Sequence, residues 1–221
     1  DGVVDNGDFN SPAGEAMLFT SANAATLQPY LNASTGAEAT NIINFIRGNY
    51  IAGYRNRCFS LAGAGTADGC SGANERTWPL GDIVYASPTT VTGTQEQYNL
   101  IYGGLASNYA TFAAKYGNRR HIVFTGSNDG VLHAFNGGVY TAGDDASTGT
   151  TTEHGWFAAN PSNSDGVDTD GDGNDTDIDG WGAGQGEELW SFAMHDNLPH
   201  LKWLTQEDYS HVYYVDLKPK P

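Results

Sequence analysis

Basic residues are scarce in this chain: 10 Lys and Arg stand against 26 Asp and Glu, a formal net charge of −16 over 221 residues. So acidic a surface repels phosphate backbones, which excludes nucleic acid as a partner. The scarcity is also local. Between Arg120 and Lys202 there is no Lys or Arg, while 14 Asp and Glu fall in that window. Carboxylates crowded in this way either stay solvated or hold cations. Long apolar runs are missing too: none approaches the roughly 20 residues that cross a bilayer, so no transmembrane segment is expected. Cysteine is nearly absent, the 2 present being Cys58 and Cys70 within RNRCFSLAGAGTADGCSG. Without a flanking His pair they are too few for a structural zinc site. In an oxidising compartment they pair across a small Gly/Ala loop, contributing about 3 kcal/mol by loop closure. In a reducing one they are free thiols. The disulfide is the expected state, because so flexible a loop has little else to order it.

Catalytic signatures are wanting as well, and no enzyme is expected. Ser127 precedes Asn-Asp-Gly instead of sitting in a Gly-x-Ser-x-Gly elbow, and no glycine-rich phosphate loop ends in Lys. The histidines, His121, His133, His154, His195, His200 and His211, are scattered, with no pair at metal-ligand spacing on one helix. His133 and the five tryptophans read as packing residues. No secretory leader is visible. The chain opens on DGVVDNGDFN and closes on VYYVDLKPKP directly after a strand-like run, so the expectation is a mature or excised piece of a longer polypeptide.

What is present is turn-rich and aromatic. Gly 29, Pro 8, 39% hydrophobic and 12% aromatic residues favour a mainly β architecture with an adequate core. Residues 1–38 read as an irregular lead-in. Across residues 40–54 the apolar Ile42, Ile43, Ile46, Tyr50 and Ile51 recur at helical spacing, with Gly53 as a cap. Residues 81–91 (GDIVYASPTTV) read as a strand that Pro88 bends or confines to an edge. Residues 96–116 predict two short helices broken at Gly103-Gly104. The clearest element is RHIVFTGSNDGVLHAFN, two strand runs around Ser127-Asn128-Asp129-Gly130, where Asp-Gly supplies the positive φ of a tight hairpin turn. Residues 186–194 read as another strand, 198–205 as a short helix and 211–217 as a final strand. Four or five strands are too few for a closed barrel.

The hairpin GSNDGVLHAFN followed by GEELWSF resembles the blade signature of quinoprotein-like β-propellers. More specifically, WPLGDIVYASPTTV, the run YNLIYGG…YATFAAKYGNRRHIVFTGSNDGVLHAFNGG and LPHLKWLTQEDYSHVYYVDLKPK, in that order, resemble the C-terminal propeller of PilY/PilC-type pilus tip proteins. The resemblance implies a mainly β fold, a partial β-propeller of about two blades of a larger one, with short helices and long loop insertions. Residues 39–221 would form it, with 137–186 as an acidic insertion between blade strands. It implies a type IV pilus protein at the pilus tip, in the periplasm or on the outer membrane surface. Such a protein acts in pilus assembly, retraction control and surface attachment. Its partners would be minor pilins or other chains of the same assembly, and a host or abiotic surface.

The family's propeller carries a calcium loop, and the residues here supply a candidate of their own. DTDGDGNDTDID places Asp168, Asp170 and Asp172 at positions 1, 3 and 5, Gly173 at position 6 and Asp179 at position 12. Calcium takes six to eight oxygen ligands, and alternate carboxylates in a tight loop converge on one point. Asn174 would give its backbone carbonyl, Thr176 a hydroxyl or a bridging water, and Asp179 a carboxylate. An EF-hand has Glu at position 12 and flanking helices, both lacking here. The family's nine-residue form has an acid where Thr176 stands, so Asp175 or Asp177 is the substitute ligand. The blander alternative is a solvated acidic linker. Two other functional classes fit parts of the sequence: a quinoprotein-like oxidoreductase fragment, and a structural filament subunit whose open strand edges pair with another chain.

Overall fold

Thr35 starts the first substantial helix among the described residues. Its side chain accepts the Glu38 backbone N–H (3.1 Å), while the Glu38 carboxylate accepts the Ser34 N–H (2.6 Å), a near-reciprocal cap on two orphan donors. The computed structural model describes residues 17–61, 70, 74–93, 98–101, 106–117, 119–144, 152, 154–158 and 185–220. Helix α2 (Gly36–Ile46) follows a single helical turn, α1 (Ala24–Leu27), inside the stretch read as irregular. The α2 helix begins earlier than its apolar spacing predicts, because the cap and not the periodicity sets the start. It also ends earlier. Gly48 takes φ +94 and its N–H closes on the Phe45 carbonyl, so Tyr50, Ile51 and Gly53 lie beyond the helix.

The chain divides into two compact units. Unit 1 comprises Asp1–Ala86, Gly126–Leu132 and Phe192–Leu217; unit 2 comprises Ser87–Thr125, His133–Ser191 and Lys218–Pro221. In unit 1 the buried face of α2, Ala39, Ile42, Ile43 and Phe45, packs with Leu27, Leu31, Leu198, Leu201 and Leu204. Each large side chain so buried stabilises by about 1.5–3 kcal/mol. Leu198 and Leu204 sit on two 3-10 turns, His195–His200 and Trp203–Thr205, in place of the single predicted helix. Strands β1 (Cys58–Ser60) and β2 (Glu75–Thr77) pair antiparallel with Cys58 opposite Thr77. Cys58 and Cys70 form the expected disulfide, with Cα atoms 5.5 Å apart.

Unit 2 is built on sheet. Strand β3 (Thr89–Val91) pairs antiparallel with β4 (His121–Gly126), Thr90 opposite Val123. The predicted hairpin joins β4 to β5 (Val131–Ala142), and β5 pairs antiparallel with β6 (Gly155–Ala158), Tyr140 opposite Phe157. Strand β7 (Glu188–Ala193) also pairs with β5. Between β3 and β4 lie the two short helices expected there, α3 (Tyr98–Ile101) and α4 (Ala106–Tyr116), joined edge to face through Tyr98 and Tyr109 at 5.5 Å. The described residues are thus sheet-rich with short helices and no closed barrel.

Two predicted strands do not form as such. Of residues 81–91 only Thr89–Val91 is a strand, and residues 211–217 make none. Their backbone groups are satisfied elsewhere. The Gly81 N–H goes to the Asp129 carboxylate, the Tyr214 N–H to the Asn128 side chain and the Val212 N–H to the Tyr209 hydroxyl. Side-chain partners of this kind compete directly with a strand ladder.

Candidate functional site

The Ser127–Gly130 turn looks in sequence like an exposed hairpin tip, but Ser127, Asn128 and Asp129 are buried, Asn128 to 4% exposure. Burial obliges each polar group there to find a partner. Asp129 accepts the Val131 N–H (3.1 Å) and the Ser127 hydroxyl on one oxygen, and the Gly81 N–H (3.0 Å) on the other. The Asn128 N–H donates to the Asp82 carbonyl (3.1 Å) and its side-chain oxygen accepts the Tyr214 N–H (3.1 Å). Asn197 reaches the Gly130 carbonyl at 3.4 Å, and Gly130 holds the positive φ (+88) that Asp-Gly predicted. Gly81 comes so close that a Cβ there would lie 2.3 Å from the Asp129 nitrogen, which no side chain tolerates. The three motifs that carry the family resemblance therefore meet, within unit 1, at one buried turn.

Beside this turn the Asp82 carboxylate and the His211 ring meet, carboxylate oxygen to Nε2 2.9 Å. Burial raises the Asp82 carboxyl, but hydrogen bonds from His211 and Asn128 outweigh it and hold the group below its ordinary value. Both side chains stay about half exposed, so the pair links the 82 and 211 segments without closing off solvent.

A cleft of about 550 Å³ opens on the same residues, within the range of small-ligand sites. Its walls include Arg55, Arg57, Trp78, Asp82, Tyr209 and His211. Arg57 is a structural residue. Its guanidinium lies 3.7 Å over the Phe45 ring and donates to the carbonyls of Phe45 and Pro79, capping the C-terminal end of α2. Burial, then the neighbouring charge of Arg55, lowers its pKa to about 10 against the opposing pull of Asp129. Arg55 stacks 4.6 Å over Tyr209, and its backbone N–H donates to Thr205 at 2.8 Å. Its Nε is buried with no hydrogen-bond partner among the described residues, and no carboxylate there forms a salt bridge with it. Burial lowers it, and Tyr209 and Tyr214 oppose that. Tyr214 itself is pushed up to about 12, by burial first and then by Tyr209.

The candidate calcium ligands Asp168, Asp170, Asp172, Asn174, Thr176 and Asp179, with the substitutes Asp175 and Asp177, lie outside the described residues. Among the described residues no cluster of three or more His, Cys, Asp or Glu is arranged to hold a metal. His133 is buried as a packing residue in unit 2, 2.6 Å from the Glu188 carboxylate and stacked on Phe135. Of the tryptophans, Trp78, Trp190 and Trp203 are partly exposed but pack against Phe59, Phe124 and His200, Trp156 is half-buried, and Trp181 lies outside the described residues. Ser127 gives its hydroxyl to Asp129 and is 1% exposed, which leaves it no access to a substrate. Sequence reasoning missed Arg55, whose position carries no motif, and took Asn128 and Asp129 for turn chemistry alone.

No protein-family model matches the chain, and no solved structure matches it. Among curated proteins it is 28% identical over 208 residues to the type IV pilus biogenesis factor PilY1 homolog of Xylella fastidiosa (strain Temecula1). The alignment takes in 94% of this chain and spans about 13% of the length of that relative.

Proposed function

We propose that this chain is the calcium-binding propeller segment of a type IV pilus biogenesis protein related to PilY1, acting in pilus assembly, retraction control and surface attachment. It acts by binding and not by catalysis. The observation that carries this is the similarity running along 94% of the chain to a pilus biogenesis factor homolog. The sheet supports it: β3, β4, β5 and β7 are four strands in near-sequential order, as a propeller blade requires, with β6 as an addition. Minor pilins are the partners, and the location is extracellular, periplasmic or at the outer membrane surface. No helix among the described residues is long and apolar enough to cross a membrane.

Calcium is held by Asp168, Asp170, Asp172, Asn174, Thr176 and Asp179, with Asp175 or Asp177 replacing a neighbour. The seven aspartates from Asp165 to Asp179 repel one another without a cation, so binding and local order are coupled. Trp181 stands two residues from Asp179 and serves as an antenna for terbium bound in calcium's place. Titration should give saturable sensitised emission that calcium displaces at about 10⁻⁴–10⁻³ M, as in extracellular modules. The double substitution Asp168→Asn, Asp172→Asn should weaken this at least tenfold, and the same pair in the full-length protein should change surface piliation. Equal titrations of wild type and variant would end the calcium assignment; unchanged piliation and attachment would end the pilus role.

A further inference from the structure

We propose that the cleft of unit 1 is a docking site for a peptide carboxylate, received by the guanidinium of Arg55. This goes beyond the calcium and pilus reading and stands without it. The charge of the ligand follows from what is already satisfied. Asp129 spends its oxygens on Ser127, Val131 and Gly81, and Asp82 is paired with His211. Arg57 gives its terminal nitrogens to the Phe45 and Pro79 carbonyls, though its Nε, like that of Arg55, is buried without a hydrogen-bond partner among the described residues. No carboxylate among the described residues pairs with Arg55 or stabilises its charge, which burial disfavours, whereas Arg57 feels the charge of Asp129. An anion at Arg55 removes that penalty.

The size of the charge follows from the neighbours. A dianion such as phosphate would sit beside the carboxylates of Asp82 and Asp129, whereas a single carboxylate matches the planar fork of one guanidinium. The body of the ligand follows from the walls. Trp78 and Ile83 line the cleft yet are 61% and 40% exposed, large apolar surface that flanking peptide side chains would cover. Trp, Tyr and Arg are the residue types that dominate interface energetics when enclosed. Stacking on Tyr209 holds the Arg55 side chain in advance, which lowers the ordering cost of binding.

The carboxylate can come from a chain end or from an acidic side chain. Three capped tripeptides separate these sources on the 221-residue chain, with binding read by amide chemical shifts in calcium-free buffer. They are acetyl-Ala-Leu-Ala with a free carboxylate, acetyl-Ala-Asp-Ala-amide, and acetyl-Ala-Asn-Ala-amide as the neutral control. One or both acidic peptides should bind saturably, shifting amides around 55–57, 78–83 and 209–211, with no response to the neutral one. Arg55→Gln should weaken binding roughly 10- to 100-fold, the weight of a charged hydrogen bond. Arg55→Lys keeps the charge but loses the fork, and should weaken it less. Trp78→Ala changes an exposed side chain outside the core, should weaken binding at least roughly fivefold, and serves as the readout if Arg55→Gln lowers the melting temperature. Absence of saturable binding by either acidic peptide overturns the proposal. So does equal binding of all three, or unchanged affinity in both Arg55→Lys and Trp78→Ala.

Discussion

The two units of this chain are held together by different physics. In unit 1 an apolar core closes around α2, with Leu31, Ile42, Ile43 and Leu201 at 0% exposure. In unit 2 the fully buried apolar side chains among the described residues are Ala134 and Val139. There the sheet is furnished instead with half-exposed ring pairs, Tyr140 on Phe157 at 5.6 Å, His121 on Phe157 at 5.4 Å and Phe124 on Trp190 at 5.6 Å. Cross-strand pairs of that kind contribute about 0.2–1 kcal/mol each, against several for a buried core side chain. Among the described residues, unit 1 is therefore stabilised chiefly by burial and unit 2 by its ladder and its ring pairs.

The largest expected effect breaks this contrast most directly. Phe45→Ala removes a core ring that is 2% exposed and also strips Arg57 of the face it stacks on. It should cost about 3–5 kcal/mol. The matched truncation in unit 2, Phe157→Ala, removes a ring that is 43% exposed and should cost under about 1 kcal/mol. Urea unfolding gives the totals, and native-state hydrogen exchange at amides of α2 and β5 assigns them to their units. Equal costs would mean that both units share one source of stability.

An intermediate effect tests whether the buried turn is a junction or a passive hairpin. Asn128→Ala leaves the Tyr214 N–H without its acceptor in a half-buried setting and should cost about 1–3 kcal/mol. Its signature is local: the exchange protection of Tyr214 falls by more than that of β5. An ordinary exposed Asn in a turn would cost a few tenths of that, and such a result would reduce the turn to simple chain reversal.

The same turn shows how far the sequence could be read. Asp129-Gly130 announced the hairpin because local backbone preference alone decides it, and β4 formed where its strand run placed it. Strand β5, however, runs on to Ala142 and pairs there with β6, both inside the 137–186 stretch read as an insertion. The short helices α3 and α4 were legible for a similar reason, since Gly103-Gly104 breaks the run between them. The boundaries of α2 were not, because a Thr-Glu cap and Gly48 overrode a periodicity that continued past them. Nor were the unpaired segments 81–88 and 211–217. Their β-branched and aromatic residues suit a strand, but long-range bonds to Asp129 and Asn128 claim the backbone first. The cleft was the least legible feature. Arg55, Trp78 and Tyr209 lie far apart in sequence, and only the folded chain puts them on one surface. The candidate calcium ligands are the opposite case, legible as a spacing and lying outside the described residues.

Acid gives the smallest and most selective test, because two lowered carboxyls act in unit 1. The Glu38 carboxyl is held below its ordinary value of 4.5, first by its hydrogen bond from Lys202 at 2.7 Å and then by the Ser34 N–H. Asp82 is held low by His211 and Asn128 against the opposing effect of burial. A carboxyl lowered in the folded state binds fewer protons there than in the unfolded chain. Stability from it is whole above the unfolded value and is lost as the pH falls through the folded one. The urea midpoint of unit 1 should therefore hold steady from pH 7 to pH 5 and decline below about pH 4. In Asp82→Asn the midpoint should lie below that of the wild type at pH 7, and the two curves should converge in acid, because protonation does to the wild type what the substitution does to the variant. Exposure of the pair to solvent keeps the gap small. A constant offset between the curves across the whole range would show that the Asp82–His211 pair contributes nothing that titrates, and that unit 1 is fixed by its core alone.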